Sequence, residues 1–197
     1  MIVILDNGHG YDTPGKCSPK LPDGRRIYEY KTNRLIVKKI ADLCYNEGIR
    51  FYILVPEQND ISLAERCKRV NAINENCFLF SIHLNASTMN GSWGKAKGIS
   101  FFTSKGKTKS DEYATILFDE AKKEFESEFK LRTDMSDGDP DWEENFYILK
   151  NTKCPAVLSE NFFMDNREEC EFLLTDEAIE RIALVHFRAI KKIMGVK

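Results

Sequence analysis

Short apolar runs alternate along this chain with longer segments in which apolar residues return every three or four positions. The first run, "IVIL" within "MIVILDNGHG", predicts a strand that runs out into Asp6, Asn7, Gly8 and His9. Residues 29–46 place Ile36, Ile40, Leu43 and Cys44 at helical spacing, and Gly48 follows as a stop. "IRFYILV" (49–55) predicts a second strand, ended by Pro56. Ser62 with Glu65 three residues later is a capping-box pattern and opens a helix reaching Asn74. "CFLFSIH" (77–83) and "GISFFTS" (98–104) predict two further strands, and 110–130 a charged helix that starts at Ser110 and Asp111. "FYIL" (146–149) and "AVLSE" (156–160) predict short strands, and 176–194 a closing helix.

Strands alternating with helices predict an α/β fold with the sheet covered on both faces. The chain shows no repeat, low-complexity tract or linker, so residues 1–197 are expected to form one domain. The least regular stretch, "RTDMSDGDPDWEENF" (132–146), reads as an acidic surface loop and lacks the spacing of an EF-hand.

A formal net charge of −2 removes any global electrostatic case for binding nucleic acid or an anionic membrane. Lysines gather locally in "WGKAKG" and "TSKGKTKS", which read as solvated loops. The six cysteines form no CxxC pair, and several sit in apolar stretches as small hydrophobes. "MIVILD" has no leader-like features, and no apolar run has the length of a membrane span. These features predict a soluble protein made in a reducing cytoplasm.

Three apolar strands finish on residues that carry chemistry: Asp6 and His9, Ser81 and His83, Ser159 and Glu160. Ligands of open α/β sheets bind beyond the carboxyl ends of the strands, so parallel pairing would bring two imidazoles and a carboxylate to one edge. Glu29, after the long loop "YDTPGKCSPKLPDGRRIY", is a fourth candidate for that edge. Two imidazoles, one carboxylate and an open position suit catalytic zinc, which lowers the pKa of a bound water to about 7. A further carboxylate would serve as general base. His186 lies on the apolar stripe of the last helix with Ile182, Ala183, Ile190 and Ile193, and reads as a packed core residue.

"ILDNGHG", "YEYKTNRLIVKKIADLC", "SLAERCKRVNAINENCFLFSIHLNAS" and "CPAVLSENFFMDN", in this order, resemble the zinc-dependent N-acetylmuramoyl-L-alanine amidases of the Amidase_3 type. The resemblance covers nearly the whole chain. It implies a three-layer α/β sandwich around a mixed, mostly parallel sheet, similar to zinc exopeptidases. It also implies zinc ligands at His9, Glu29 and His83 and a catalytic glutamate at Glu160. The implied reaction cleaves the amide between the lactyl group of N-acetylmuramic acid and L-alanine in peptidoglycan. Asp6 is expected to hydrogen-bond a ligand imidazole, and Asn85 to point toward substrate. Arg66 and Asn71 are expected to brace packing.

The chain departs from the family pattern at Asn161 and Phe162, beside the expected substrate wall, and in the acidic 132–146 loop. It reads as a bare catalytic domain and a monomer, reaching the wall as a phage-type lysin or by export without a signal peptide. Alternatives are a zinc peptidase acting on free peptides, a non-catalytic wall-binding module, and a cysteine hydrolase built on Cys17.

Overall fold

A computed structural model describes residues 1–88 and 91–196. Six strands form one sheet: β1 (Ile2–Asn7), β2 (Phe51–Ile53), β3 (Cys77–Asn85), β4 (Ser100–Thr103), β5 (Trp142–Glu143) and β6 (Ala156–Phe163). Their spatial order is β2-β1-β3-β6-β4-β5. β2, β1, β3 and β6 run parallel, while β4 is antiparallel to β6 and parallel to β5. The mixed, mostly parallel sheet expected for the family is present.

Helices cover both faces. Alternate residues of the central strands, including Val3, Leu5, Phe78, Phe80 and Ile82, face α1 (Glu29–Asn46), α3 (Lys109–Phe125) and α6 (Asp176–Met194) in the larger core. The intervening residues Ile2, Ile4, Cys77, Leu79 and Leu158 pack with α2 (Leu63–Asn71) and α4 (Tyr147–Lys150) in the smaller one. The short α5 (Arg167–Leu173) connects β6 to α6.

Local chemistry explains most boundaries. Ser62 caps α2 by accepting from the Glu65 amide at 3.3 Å. Thr108, two residues before the start the sequence suggested, caps α3 in a full capping box with Asp111. α6 begins at the Thr175 cap and stops at Gly195, which takes the left-handed conformation at φ 68°. "FYIL" is the start of helix α4 rather than a strand, since a short apolar run does not separate the two by periodicity. The acidic 132–146 segment contains β5, and α5 lies in "REECEFL" where no element was expected. The two lysine-rich loops precede and follow β4, so they lie at opposite ends of that strand.

Candidate active site

Four residues converge at the carboxyl ends of β1, β3 and β6, on the face covered by α2 and α4. The period-two alternation of β3 puts Leu79, Ser81 and His83 on one face, and β6 does the same with Leu158 and Glu160. His83 and Glu160 are direct register partners. His9 follows the end of β1, and Glu29 is the first residue of α1.

The glycines flanking His9 are there for close approach. A Cβ at Gly8 would come within 2.1 Å of the His83 ring, and one at Gly10 within 2.0 Å of the Asp60 backbone nitrogen. The left-handed conformation falls on His9 itself, at φ 66°. α1 holds this turn: the Asn33 amide donates to the Gly8 carbonyl at 3.1 Å, and Arg34 donates to the His9 carbonyl at 2.9 Å and the Glu57 carbonyl at 2.7 Å. Sequence reasoning passed over Asn33 and Arg34. Their signal was position, one turn after Glu29 on the same helix.

Glu29 is buried. Its Oε1 accepts from the Leu84 amide at 3.1 Å and lies 3.2 Å from His83 Nδ1 and 3.4 Å from His9 Nε2. The rings of His9 and His83 stand perpendicular with centroids 4.9 Å apart. Burial alone would raise the Glu29 carboxyl, but hydrogen bonds and charge from His83 and His9 outweigh it and hold the group well below the carboxylate range. Burial lowers the His9 pKa despite Glu29. Burial acts the same way on His83, but there the Glu29 contact prevails and the pKa is raised. Glu29 Oε2 is buried without a hydrogen-bond partner, and the Lys16 ammonium stands 3.9 Å away. His9, Glu29 and His83 each offer one ligand atom, all within 4.8 Å of one another.

Glu160 has a buried Oε2 with no hydrogen-bond partner, and burial pushes its pKa up to about 7. It borders a cavity of about 390 Å³ whose polar side holds His9, His83 and Lys16 and whose apolar side holds Ile61, Tyr147 and Ile148.

Asp6 does not meet an imidazole. One of its oxygens takes the Arg66 guanidinium and the other accepts from Ser81 Oγ at 2.6 Å. Arg66 also donates to Asp60 Oδ1 at 2.9 Å and to the Asn7 and Ile61 carbonyls, so this buried cation locks the ends of β1 and β3 to the 60–62 loop. Asn85 does not border the cavity; its side chain accepts from the Ala86 amide at 2.8 Å and shapes the following turn. Asn71 braces the Asn151 carbonyl and the Lys153 amide, as expected. Cys17 bridges to Tyr28 and does not line the cavity.

Asn161 and Phe162, the two departures from the family pattern, lie beside a bulge where β6 slips register against β3 between His83 and Asn85. The Asn161 amide donates to the His83 carbonyl at 3.0 Å and to Ser159 Oγ at 3.0 Å. Phe162 is fully buried against Phe125, Phe129 and Phe172 and does not form the substrate wall. His186 is a core residue: Nδ1 donates to the Ile182 carbonyl at 2.8 Å and Nε2 lies 3.0 Å from Ser159 Oγ.

Residues 3–192 match the Amidase_3 family, described as N-acetylmuramoyl-L-alanine amidase. The chain belongs to this family. It is 27% identical to the endolysin of Bacillus phage SPP1, across all of this chain and 67% of that protein. It is 25% identical to the N-acetylmuramoyl-L-alanine amidase CwlM of Bacillus licheniformis, over 96% of this chain and 67% of the relative. The structure superposes with a TM-score of 0.81 on the crystal structure of the N-acetylmuramoyl-L-alanine amidase from Clostridium difficile 630, at 25% identity, covering 100% of this chain and 97% of the other. The protein is thus an N-acetylmuramoyl-L-alanine amidase, a hydrolase whose substrate is peptidoglycan. The amidase carries a possible His/Glu/His metal site at the carboxyl edge of its sheet.

Proposed function

We propose that this amidase is a zinc enzyme in which His9, Glu29 and His83 hold the ion and Glu160 moves the proton. The observation that carries this reading is the placement of Glu160, with its buried and unpartnered Oε2, in register with His83, beside the cluster of three donors. The donor set fits the metal. Two imidazole nitrogens and one carboxylate suit zinc, and Glu29 Oε2 is a buried oxygen lacking a hydrogen bond. Zinc bound there supplies Lewis acidity to the scissile carbonyl and lowers the pKa of a water to about 7.

The remaining work belongs to the side chains. The bond cut joins the lactyl carbonyl of N-acetylmuramic acid to the nitrogen of L-alanine. Glu160 accepts a proton at Oε2 from the attacking water as the new C–O bond forms. It then delivers that proton to the alanine nitrogen as the C–N bond breaks. A carboxyl poised at about 7 can both accept and release a proton near neutral pH. Ile61, Tyr147, Ile148 and Leu158 give the cavity an apolar side facing the reacting groups. Arg66 is committed to Asp6, Asp60 and backbone carbonyls, which leaves Lys16 as the lining cation that meets negative charge on the substrate.

Residues 1–197 are read as one catalytic domain acting as a monomer on the cell wall, without nucleic acid and without membrane insertion. Among the described residues no helix is long and apolar enough to cross a membrane. Delivery as a phage-type lysin, or export by another route, would bring the protein to its substrate.

The test is mass spectrometry of purified peptidoglycan after digestion, with and without a zinc chelator. New L-alanine amino termini beside intact glycan, lost on chelation, are expected. Cuts inside the stem peptide would make the protein a zinc peptidase. No cuts would make it a binding module.

A further inference from the structure

The sheet brings two thiols together at the edge opposite the active site. β3 and β6 pair in parallel with Leu79 beside Ala156, and the Leu79 amide donates to the Pro155 carbonyl at 2.9 Å. Continued two residues toward the strand starts, that register sets Cys77 beside Cys154. Both side chains belong to the same apolar cluster on the α2 side of the sheet, so they leave the backbone on one face. Both also line one surface depression with Ile73, Glu75 and Lys153, which gives a small reagent access. Both are free cysteines.

We propose that Cys77 and Cys154 form a site of oxidative modification, a reversible cross-strand disulfide closed by low-molecular-weight disulfides. Adjacent strands lie about 4.8 Å apart, inside the Cα range of roughly 4.4–6.8 Å that a disulfide spans. That strand spacing exceeds the usual disulfide Cβ separation of roughly 3.5–4.5 Å, so closing the bond strains it and makes it more reducible than a relaxed one. Cys154 precedes the first ladder residue of β6, Ala156, so its backbone can adjust to the bond. Burial and the neighbouring Cys77 push the Cys154 thiol up to about 12, which marks the two sulfurs as close neighbours.

The chemistry balances. The thiolate of one of the two cysteines attacks one sulfur of the small disulfide and expels one thiolate, leaving a mixed disulfide. The sulfur of the other cysteine, losing its proton to solvent, attacks the protein sulfur of that mixed disulfide and expels the second thiolate. Two protein thiols become one disulfide, and the small disulfide is reduced to two thiols. The bond ties together the strands that carry His83 and Glu160, but at their far ends, so turnover is expected to persist.

The experiment treats the full-length protein with oxidised glutathione, alkylates remaining thiols after denaturation, and maps peptides without reduction. A linked Cys77–Cys154 peptide pair is expected, with the other four cysteines alkylated. Dithiothreitol should restore both thiols. The oxidised protein should melt roughly 4–10 °C higher than the reduced one. Cys77→Ser and Cys154→Ser should each abolish both the linked peptide and the gain. Glutathione adducts that never resolve into the linked pair, two alkylated thiols after treatment, or a link to another cysteine would each overturn the proposal. Because wild-type protein alone yields the mapping result, a variant that fails to fold leaves the test intact.

Discussion

His83 on β3 and Glu160 on β6 are register partners on neighbouring parallel strands, so a metal-ligand candidate and the carboxylate proposed to carry the proton share one face of the sheet. Glu160→Gln keeps the shape of the side chain and removes the proton site. Turnover should fall by at least about 10²–10⁴-fold while zinc content and melting temperature stay near wild type. Elemental analysis beside a release assay for L-alanine amino termini would decide it. Retained turnover would take Glu160 out of the mechanism.

The ligand set makes a separate claim. His83→Ala, His9→Ala and Glu29→Ala should each lower the zinc retained after dialysis, because each removes one of three donors within 4.8 Å of one another. Unchanged metal content in any of them would exclude that residue as a ligand.

Arg66 and Asp6 form a buried ion pair. Arg66→Ala strands the Asp6 carboxylate and should cost about 3–5 kcal/mol of stability. Adding Asp6→Asn should recover part of that loss, and denaturant titration of the single and double variants would show it. Purely additive losses would mean that the two side chains do not act as a pair.

Among the described residues, His9 and Phe162 are the non-glycine positions in the left-handed region, at φ 66° and 68°. For Phe162 the two effects of a glycine replacement oppose each other. Relief of the left-handed backbone is worth on the order of 1–3 kcal/mol, whereas deleting a fully buried phenylalanine costs about 3–5 kcal/mol. Phe162→Gly should therefore lower the melting temperature. A rise would show that strain outweighs the aromatic packing.

Stability should fall on the acid side through His186. Burial lowers its pKa to about 4 from the ordinary 6.5, so the folded protein holds the ring neutral. Between those values the unfolded chain binds the proton that the folded chain refuses. The stabilisation is thus complete above pH 6.5 and is lost as pH falls toward 4, about 3 kcal/mol in all. Melting temperatures recorded across this range should converge between wild type and His186→Leu as the pH drops. Parallel curves would remove His186 from the acid response.

Much of the site was legible because its signals are local. The apolar runs ending at His9, His83 and Glu160, the Ser62 cap and the apolar stripe carrying His186 all follow from backbone period and capping chemistry, which depend on near neighbours in the chain. The chain itself only suggested Glu29 as a candidate, and its ligand role rested on the resemblance, since nothing local says that a helix start will be buried at a sheet edge.

Tertiary structure decided the rest. Which strands are neighbours, and in what register, depends on pairing between residues far apart in sequence. That pairing set His83 beside Glu160, turned β4 antiparallel and put Cys77 alongside Cys154. It also gave Asp6 to Arg66 rather than to an imidazole, because a buried carboxylate takes the buried cation that the fold brings to it. "FYIL" became a helix for the same reason: a four-residue apolar run carries no period of its own, and packing against α2 and β6 determines its form. The sequence by itself determined the alternating elements and the chemistry at their ends, through local backbone preference. The long-range pairing of strands decided which of those ends meet.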